Sequence, residues 1–486
     1  MAASKSSALG DLPDEMFNII KAAGSVLVPR LGRLALPGRK IMETPHFLAG
    51  TSRGAVPHIT QDTFARDTSI GGVYVALEDS DPADYILTDE RAPSHVPPIH
   101  KFRPSDGSSP LRRFVALPDE TLLVLGARRT PPVAAPSANP NTHDAIAVCT
   151  AVGFKTLTAE DFAEAAQHLQ ADIVVGMGDV PHGRSLGSKR IEKATDRTIQ
   201  WMTEQVGRRK ADASEGAAQA KLFAPLLPVT CANQQFYIDC LTDELVRDVS
   251  GLAIYDLRSV EDLPEALHHQ PRLDLTEPMT PHEVLQRIAL GMDILTVPFV
   301  TVATDAGIAL AFILAAPTDP PETNGHHHIE TLPLGIDMWL PTHAVNLSAL
   351  VDGCQCYTCS NHHRAYLQHL LVAKEMLGWV LLQIHNYHII DVFFRDVRQS
   401  ITDGRFEEFT ARFPRVYESS MPETTGQGPR VRGYQFRSEG RGEGKKNKAP
   451  FTRLDGAKDL AVERASPDTH ASVGDLDATS LTEKRE

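Results

Sequence analysis

Three thiols and one imidazole carry the clearest chemistry in this chain. Cys354, Cys356 and Cys359 fall within six residues, and His385 follows after a gap of 25. Three thiolates and an imidazole fill a tetrahedral coordination sphere and leave no open position for a reacting water, which is the arrangement of a structural zinc site. One Zn2+ per chain is therefore expected at Cys354, Cys356, Cys359 and His385. Such an ion contributes on the order of 10 kcal/mol of folding energy, so it would be integral to the fold. Four more histidines lie nearby: His362, His363, His369 and His388. His385 is preferred because it ends an apolar-periodic segment and stands before Asn386, a helix-terminating residue type.

The elements that must position these ligands follow from geometry. Leu367, Leu370, Leu371, Leu377, Leu381 and Ile384 repeat with the spacing of an amphipathic helix over 364–385. One straight helix of that length spans about 33 Å at ~1.5 Å per residue, so His385 would never return to the cysteines. The spacing thus predicts two short helices with a bend near Ala373–Glu375.

The chain has 486 residues, 48 Lys+Arg against 62 Asp+Glu, a net charge of −14, and 42% apolar residues. These proportions describe a globular protein with ample core. Its longest apolar stretches, such as Gly307–Pro317, are far shorter than the ~20 residues that span a bilayer. Asp11, Asp14 and Glu15 precede any apolar run, which is not a signal-peptide layout. Disulfides are accordingly not expected, and Cys149, Cys231 and Cys240 read as ordinary reduced residues. The acidic balance argues against broad, nonspecific nucleic-acid binding, while leaving room for a local basic patch.

Apolar runs and helical patterns alternate through the body. ADIVVGM, FAPLLPVTC, GLAIYDL, MDILTVPFV and IALAFIL are candidate strands; EDFAEAAQHLQ, KRIEKATDRTIQWMTEQV and TPHEVLQRIAL are candidate helices. Nearly all-apolar strands between helices indicate a parallel sheet covered on both faces. Over roughly 400 residues this fits a TIM-type (β/α)8 barrel better than two doubly wound domains. The expected organisation is a barrel over 1–415 that includes a zinc module at 350–400. Segments 128–143 and 317–328 read as loops, the second containing His326, His327 and His328, and 211–220 reads as a surface insertion. Beyond 416 the composition turns polar, so 416–486 is expected to be a largely disordered tail. Its stretch 429–450 holds seven cations against Glu439 and Glu443, with Tyr434 and Phe436 interleaved. That pattern suits either RNA contact or a solvated tail.

The segment CQCYTCSNHHRAYLQHLLVAKEMLGWVLLQIHN closely resembles the zinc module of the tRNA-guanine transglycosylase (queuine tRNA-ribosyltransferase) family. RLGRLALPGRKIMETPHFLAGTSRGAVPHIT is similar to that family's opening segment. KATDRTIQWM and LQRIALGMDILTVPFVTVATDAGIALAF resemble two further blocks, so the likeness covers about 30–400. It implies a (β/α)8 barrel with a zinc-bearing insertion near the C-terminal end. In catalytic members an aspartate in a G-x-D-x-F-D block attacks the ribose. Here that block reads Gly291-Met292-Asp293-Ile294-Leu295-Thr296, so Thr296 holds the nucleophile position. The family's D-S-G-G-F-Q segment has no counterpart, Asp67–Gly72 being only an echo of it. Val229–Asn233 replaces its Q-G-G, and Tyr255-Asp256-Leu257 replaces its G-G-L.

Four altered elements of one active site imply a chain with no catalytic residues and no organic cofactor of its own. The resemblance is nearest to the accessory, non-catalytic subunit of the eukaryotic enzyme. It implies a heterodimer with a catalytic subunit, contacts with tRNA, and exchange of guanine for queuine at the wobble position. It also implies a cytoplasmic protein, with peripheral association at the mitochondrial outer membrane allowed. Two alternatives stand beside it: a divergent active transglycosylase using Asp293 or Asp305, and a stand-alone zinc-containing RNA-binding protein.

Overall fold

The computed structural model describes residues 16–22, 27–80, 98–150, 153–182, 187–214, 219–314 and 331–429. The sheets comprise β1 (Phe17–Lys21), β2 (Leu31–Leu34), β3 (Met42–Thr44), β4 (His46–Gly50), β5 (Gly72–Ala76), β6 (Leu122–Gly126), β7 (Ala145–Thr150), β8 (Gly153–Thr158), β9 (Ile173–Val175), β10 (Lys221–Leu226), β11 (Gly251–Ile254), β12 (Arg272–Asp274), β13 (Ile294–Thr296), β14 (Ile308–Leu310) and β15 (Gly335–Asp337). Eight of these close into a parallel barrel in the order β4-β5-β6-β9-β10-β11-β12-β13, with β13 pairing back to β4. Helices run between the strands, among them Gln61–Asp67, Ala159–Leu169, Ser188–Ser214 and Pro281–Ala289. This is the (β/α)8 architecture expected from the sequence.

Both faces of each barrel strand are buried, which explains their near-continuous apolar runs. In β4, Leu48 points into the barrel cluster with Tyr74, Val124, Val175, Phe223 and Ile294, whereas Phe47 and Ala49 face the surrounding helices. Phe17, Leu34 and Met42 join that inner cluster, because the antiparallel sheet β1-β2-β3 closes the barrel's amino end. Gly251 is required by close packing: a Cβ there would stand 2.5 Å from the Phe223 ring.

Several elements differ from their sequence reading. The run IALAFIL yields β14, which lies outside the barrel and pairs antiparallel with β15. Barrel strands β4, β5, β6 and β12 are not among the candidate strands read from the sequence; β5 and β6 are short apolar runs, whereas β12 is a three-residue Arg-Leu-Asp whose charged residues are fully buried. Residues 211–214 continue the helix Ser188–Ser214 and are no insertion. The loop reading of 317–328, with its three histidines, lies outside the described residues, as does the tail beyond 429. Residues 417–429 run against β15, Trp339 and Lys374: Thr425 Oγ1 donates to Asp337 Oδ2 at 2.5 Å, Lys374 Nζ donates to Gln427 Oε1 at 2.8 Å, and Gly426 packs on the Trp339 indole.

A buried ion pair locks the amino end. Arg30 donates to Asp293 Oδ1 at 2.9 Å and to Oδ2 at 2.5 Å, and also to the carbonyls of His268 and Gln270. Asp293 Oδ2 further accepts from the Arg272 N–H at 2.7 Å, and Asp293 is fully buried. Asp293→Ala strands the Arg30 guanidinium in the interior, a loss of about 3–5 kcal/mol. A fall of that size in the urea unfolding free energy is expected; a change below about 1 kcal/mol would contradict a bracing role.

Candidate metal centre and barrel mouth

The cysteine ligands sit on a short knuckle. Cys354 follows a turn in which Gly353 takes φ +77°, and Cys356 caps the helix Tyr357–Asn361, its Sγ accepting from the Cys359 N–H at 3.3 Å. Helix Arg364–Val372 then leads away for nine residues, about 13 Å of rise. The chain breaks at Ala373–Glu375, where Lys374 adopts φ +58° and the Lys374 and Glu375 N–H groups bond back to Leu371 and Leu370. Such a left-handed residue closes helix ends. The next helix, Met376–Thr402, returns by about the same rise before it reaches His385. Out and back cancel, so His385 arrives level with the knuckle.

The break falls where the ligand geometry demands it, but the second helix is not short. It runs 27 residues, and Asn386 stands in its middle. Asn386 terminates nothing because its side chain is fully used: Oδ1 accepts from Leu310 N at 2.8 Å, and Nδ2 donates to Thr304 Oγ1 and Ile308 O. It is fully buried and clasps the edge of β14.

The four ligand atoms of Cys354, Cys356, Cys359 and His385 lie within 4.8 Å of one another. His385 Nδ1 stands 3.7, 3.5 and 3.4 Å from the three sulfurs. A tetrahedron with ~2.3 Å metal–sulfur and ~2.1 Å metal–nitrogen bonds has sulfur–nitrogen edges of roughly 3.6 Å, so the donors fit a four-coordinate ion. His385 Nε2 lies 2.9 Å from Leu310 O and donates to it, which fixes the tautomer and leaves the Nδ1 lone pair facing the sulfurs. Burial would lower the imidazole's pKa, but the hydrogen bonds and charges of Cys354 and Cys359 prevail and raise it to about 9. The cluster calls for positive charge. Two of the neighbouring histidines do other work: His363 caps its helix by accepting from Tyr366 N, and His362 stacks on Tyr366.

The carboxyl ends of the barrel strands, where barrel enzymes carry their chemistry, are filled with side chains. Thr296, at the nucleophile position, is buried and donates its hydroxyl to Asp274 O at 3.2 Å. Among the described residues no side-chain base is bonded to it. Asp305 bonds His58 Nε2 at 2.6 Å, and Asp293 belongs to the brace at the opposite end. Arg128, directly after β6, lies across the mouth: its guanidinium donates to Ala147 O, Val180 O and Asn141 Oδ1. Tyr74 Oη donates to Arg128 O, and Tyr255, His182 and Glu277 complete the lining. The cavity they enclose is about 30 Å³. That is room for a couple of waters and not for a purine, while an adjoining cavity of about 190 Å³ shares Arg128, Val180 and His182.

Other carboxylates at the mouth are committed as well. Asp179 is held by Arg190, Arg197 and Asn141 at 2.6–2.9 Å. Burial opposes ionisation there, yet those bonds keep its carboxyl below the usual range. Glu277 is the reverse: burial, then the neighbouring Asp274, pushes it up to about 8. A carboxyl that keeps its proton near neutral pH is no nucleophile. Sequence reasoning missed Arg128, Asp179 and Glu277. The usable signal was a charged residue just after an apolar barrel strand, as in LLVLGARR.

A family model described as Queuine tRNA-ribosyltransferase matches residues 26–419. The chain is similar to the queuine tRNA-ribosyltransferase accessory subunit 2 of Schizosaccharomyces pombe, 34% identical over 82% of this chain and 83% of that one. It is 27% identical to the Xenopus tropicalis protein of the same description, over 80% of this chain and 96% of that one. The corresponding human protein is 25% identical over 80% and 97%.

Two measurements check the site. His385→Ala and Cys356→Ser should each abolish bound metal, read by elemental mass spectrometry, and lower the melting temperature; retention of a full equivalent by either variant refutes the four-ligand assignment. Glu277 has a raised carboxyl, so the unfolded chain releases that proton first and stability falls as pH rises from the ordinary carboxyl range toward 8. Glu277→Gln should therefore raise the melting temperature by roughly 2–4 °C at pH 8.5, with the gain shrinking toward pH 5. A gain independent of pH would rule this out.

Proposed function

The chain belongs to the queuine tRNA-ribosyltransferase family, and from that membership we propose that it acts as a non-catalytic accessory subunit. It pairs with a catalytic homologue to support exchange of guanine for queuine at the tRNA wobble position. The observation that carries this reading is the barrel mouth: Thr296 is bonded to Asp274 O at the nucleophile position, and Arg128 fills the space a base would need. A covalent exchange requires a free carboxylate at the ribose carbon and a pocket for the leaving base. The partner supplies both.

Exposed apolar side chains around the metal module support a partner there. Val345 and Leu347 are 86% and 75% exposed, and Tyr357, Val372, Met376 and Leu377 are also exposed. They lie in or beside the helices Tyr357–Asn361 and Met376–Thr402, which carry Cys359 and His385, and the helix Arg364–Val372 that links them. A monomer gains nothing from such a patch, whereas a subunit interface buries it. The ion held by three thiolates and an imidazole is proposed to be zinc, by donor softness and tetrahedral geometry. It ties the docking elements to the barrel and takes no part in the reaction. Contact with tRNA and a cytoplasmic location, with peripheral association at the mitochondrial outer membrane, belong to the same proposal. No helix among the described residues is long and apolar enough to cross a membrane.

Purified alone, the chain should give no guanine exchange into tRNA above the protein-free background, and co-expression with its catalytic homologue should give an active complex. Robust turnover by the chain alone refutes the accessory reading. Tight tRNA binding with no association to the homologue would support the stand-alone RNA-binding alternative instead. Val345→Asp with Leu347→Asp should weaken subunit association roughly tenfold or more, measured by analytical ultracentrifugation. Cell fractionation that finds the chain in another compartment would overturn the location.

A further inference from the structure

A second site lies at the opposite end of the barrel. Where the sheet β1-β2-β3 meets the amino ends of β4 and β5 and the helix Met376–Thr402, a cavity of about 430 Å³ opens to solvent. Arg33 from β2, Lys40 from the following loop and Arg398 from the long helix converge on it. Among the described residues none of the three forms an ion pair. Glu43 and Asp391 stand near them and offset only part of the three positive charges, leaving an excess that a bound anion relieves.

The cavity also holds a directed neutral donor. His46, the first residue of β4, is buried, and its Nδ1 accepts from the Phe47 N–H at 2.9 Å. The ring proton therefore sits on Nε2, which lies 3.8 Å from where a Cβ on Gly71 would stand. Gly71 lines the same cavity, so the Nε2–H faces the space between the cations. Burial, and then the charges of Arg398 and Lys40, hold the imidazole down to about 3 and keep it a neutral donor. Arg398 Nη1 is anchored on Pro45 O at 2.9 Å, and its other N–H groups make no bond among the described residues.

We propose that this cavity binds a phosphate group, gripped by Arg33, Lys40 and Arg398 with His46 Nε2–H as the neutral donor. Phosphate suits the set because its several oxygens accept from a guanidinium fork, an ammonium and an imidazole at once. Glu43 and Asp391 also line the cavity. Against three cations they leave a net charge of only +1, which suits one phosphate group and disfavours a run of them. Nothing in this proposal depends on the accessory role. The phosphate comes either from a small phosphorylated molecule or from an RNA backbone.

The full-length chain with its metal is titrated with inorganic phosphate at constant ionic strength, read by isothermal calorimetry and by thermal shift. Saturable binding below about 10 mM is expected. Arg33→Ala with Lys40→Ala should weaken it at least tenfold while leaving the phosphate-free melting temperature unchanged. Arg33→Lys with Lys40→Arg should restore it. Equal phosphate affinity in the parent and the alanine variant, or no saturable binding at all, overturns the proposal. An unmodified tRNA transcript then separates the sources. If the alanine variant also loses tRNA affinity and its salt dependence flattens by about two charges, the phosphate is an RNA phosphodiester. Unchanged tRNA affinity beside lost phosphate binding assigns the site to a small phosphorylated ligand.

Discussion

The imidazole of His385 holds two parts of the molecule together. One ring nitrogen faces three thiolates on the knuckle, and the other donates to Leu310 O in β14. The next residue, Asn386, satisfies the backbone of the same strand. The helix Met376–Thr402 is thereby fixed to the module on one side and to the barrel on the other. Without a bound ion the three sulfurs would lack a common partner, while the clasp on β14 remains. A metal bound in this arrangement would set the orientation of the proposed docking surface.

Against that rigid side, the barrel mouth has the architecture of an active site and the chemistry of a core. Barrel strands deliver side chains to their carboxyl ends whatever those side chains are. Here they deliver an arginine bonded to two carbonyls and an amide, a threonine bonded to a carbonyl, a carboxylate clamped by two arginines and a carboxyl held protonated by burial. The first three are satisfied internally and the fourth carries no charge near neutral pH, so none is poised as a nucleophile. On the accessory reading, the lack of activity is thus a physical filling of the pocket, of which the threonine is only one part.

The acidic total also divides in space. The cations that matter sit in particular places: Arg30 in a buried brace, Arg128 across the mouth, and Arg33, Lys40 and Arg398 around the basal cavity. Net charge reports on solubility and long-range attraction, and it is silent on such local convergence.

By itself the sequence determined the barrel class, the four residues that cluster as a candidate metal site and the need for a break at Ala373–Glu375. Each is written in local spacing: near-continuous apolar runs between helical patterns, three cysteines in six residues, and a rise per residue that forbids one straight helix. The family likeness and the threonine at position 296 were equally legible. Tertiary structure alone decided the rest. β12 is a charged tripeptide that reads as a loop until its neighbours bury Arg272 and Asp274. Asn386 looks like a helix stop until β14 supplies partners for every atom of its amide. Arg128 becomes a plug, and Arg33, Lys40 and Arg398 become one cavity, only when segments up to hundreds of residues apart are brought together. Local periodicity fixes which element a segment forms, but the environment of a polar group depends on neighbours distant in the chain.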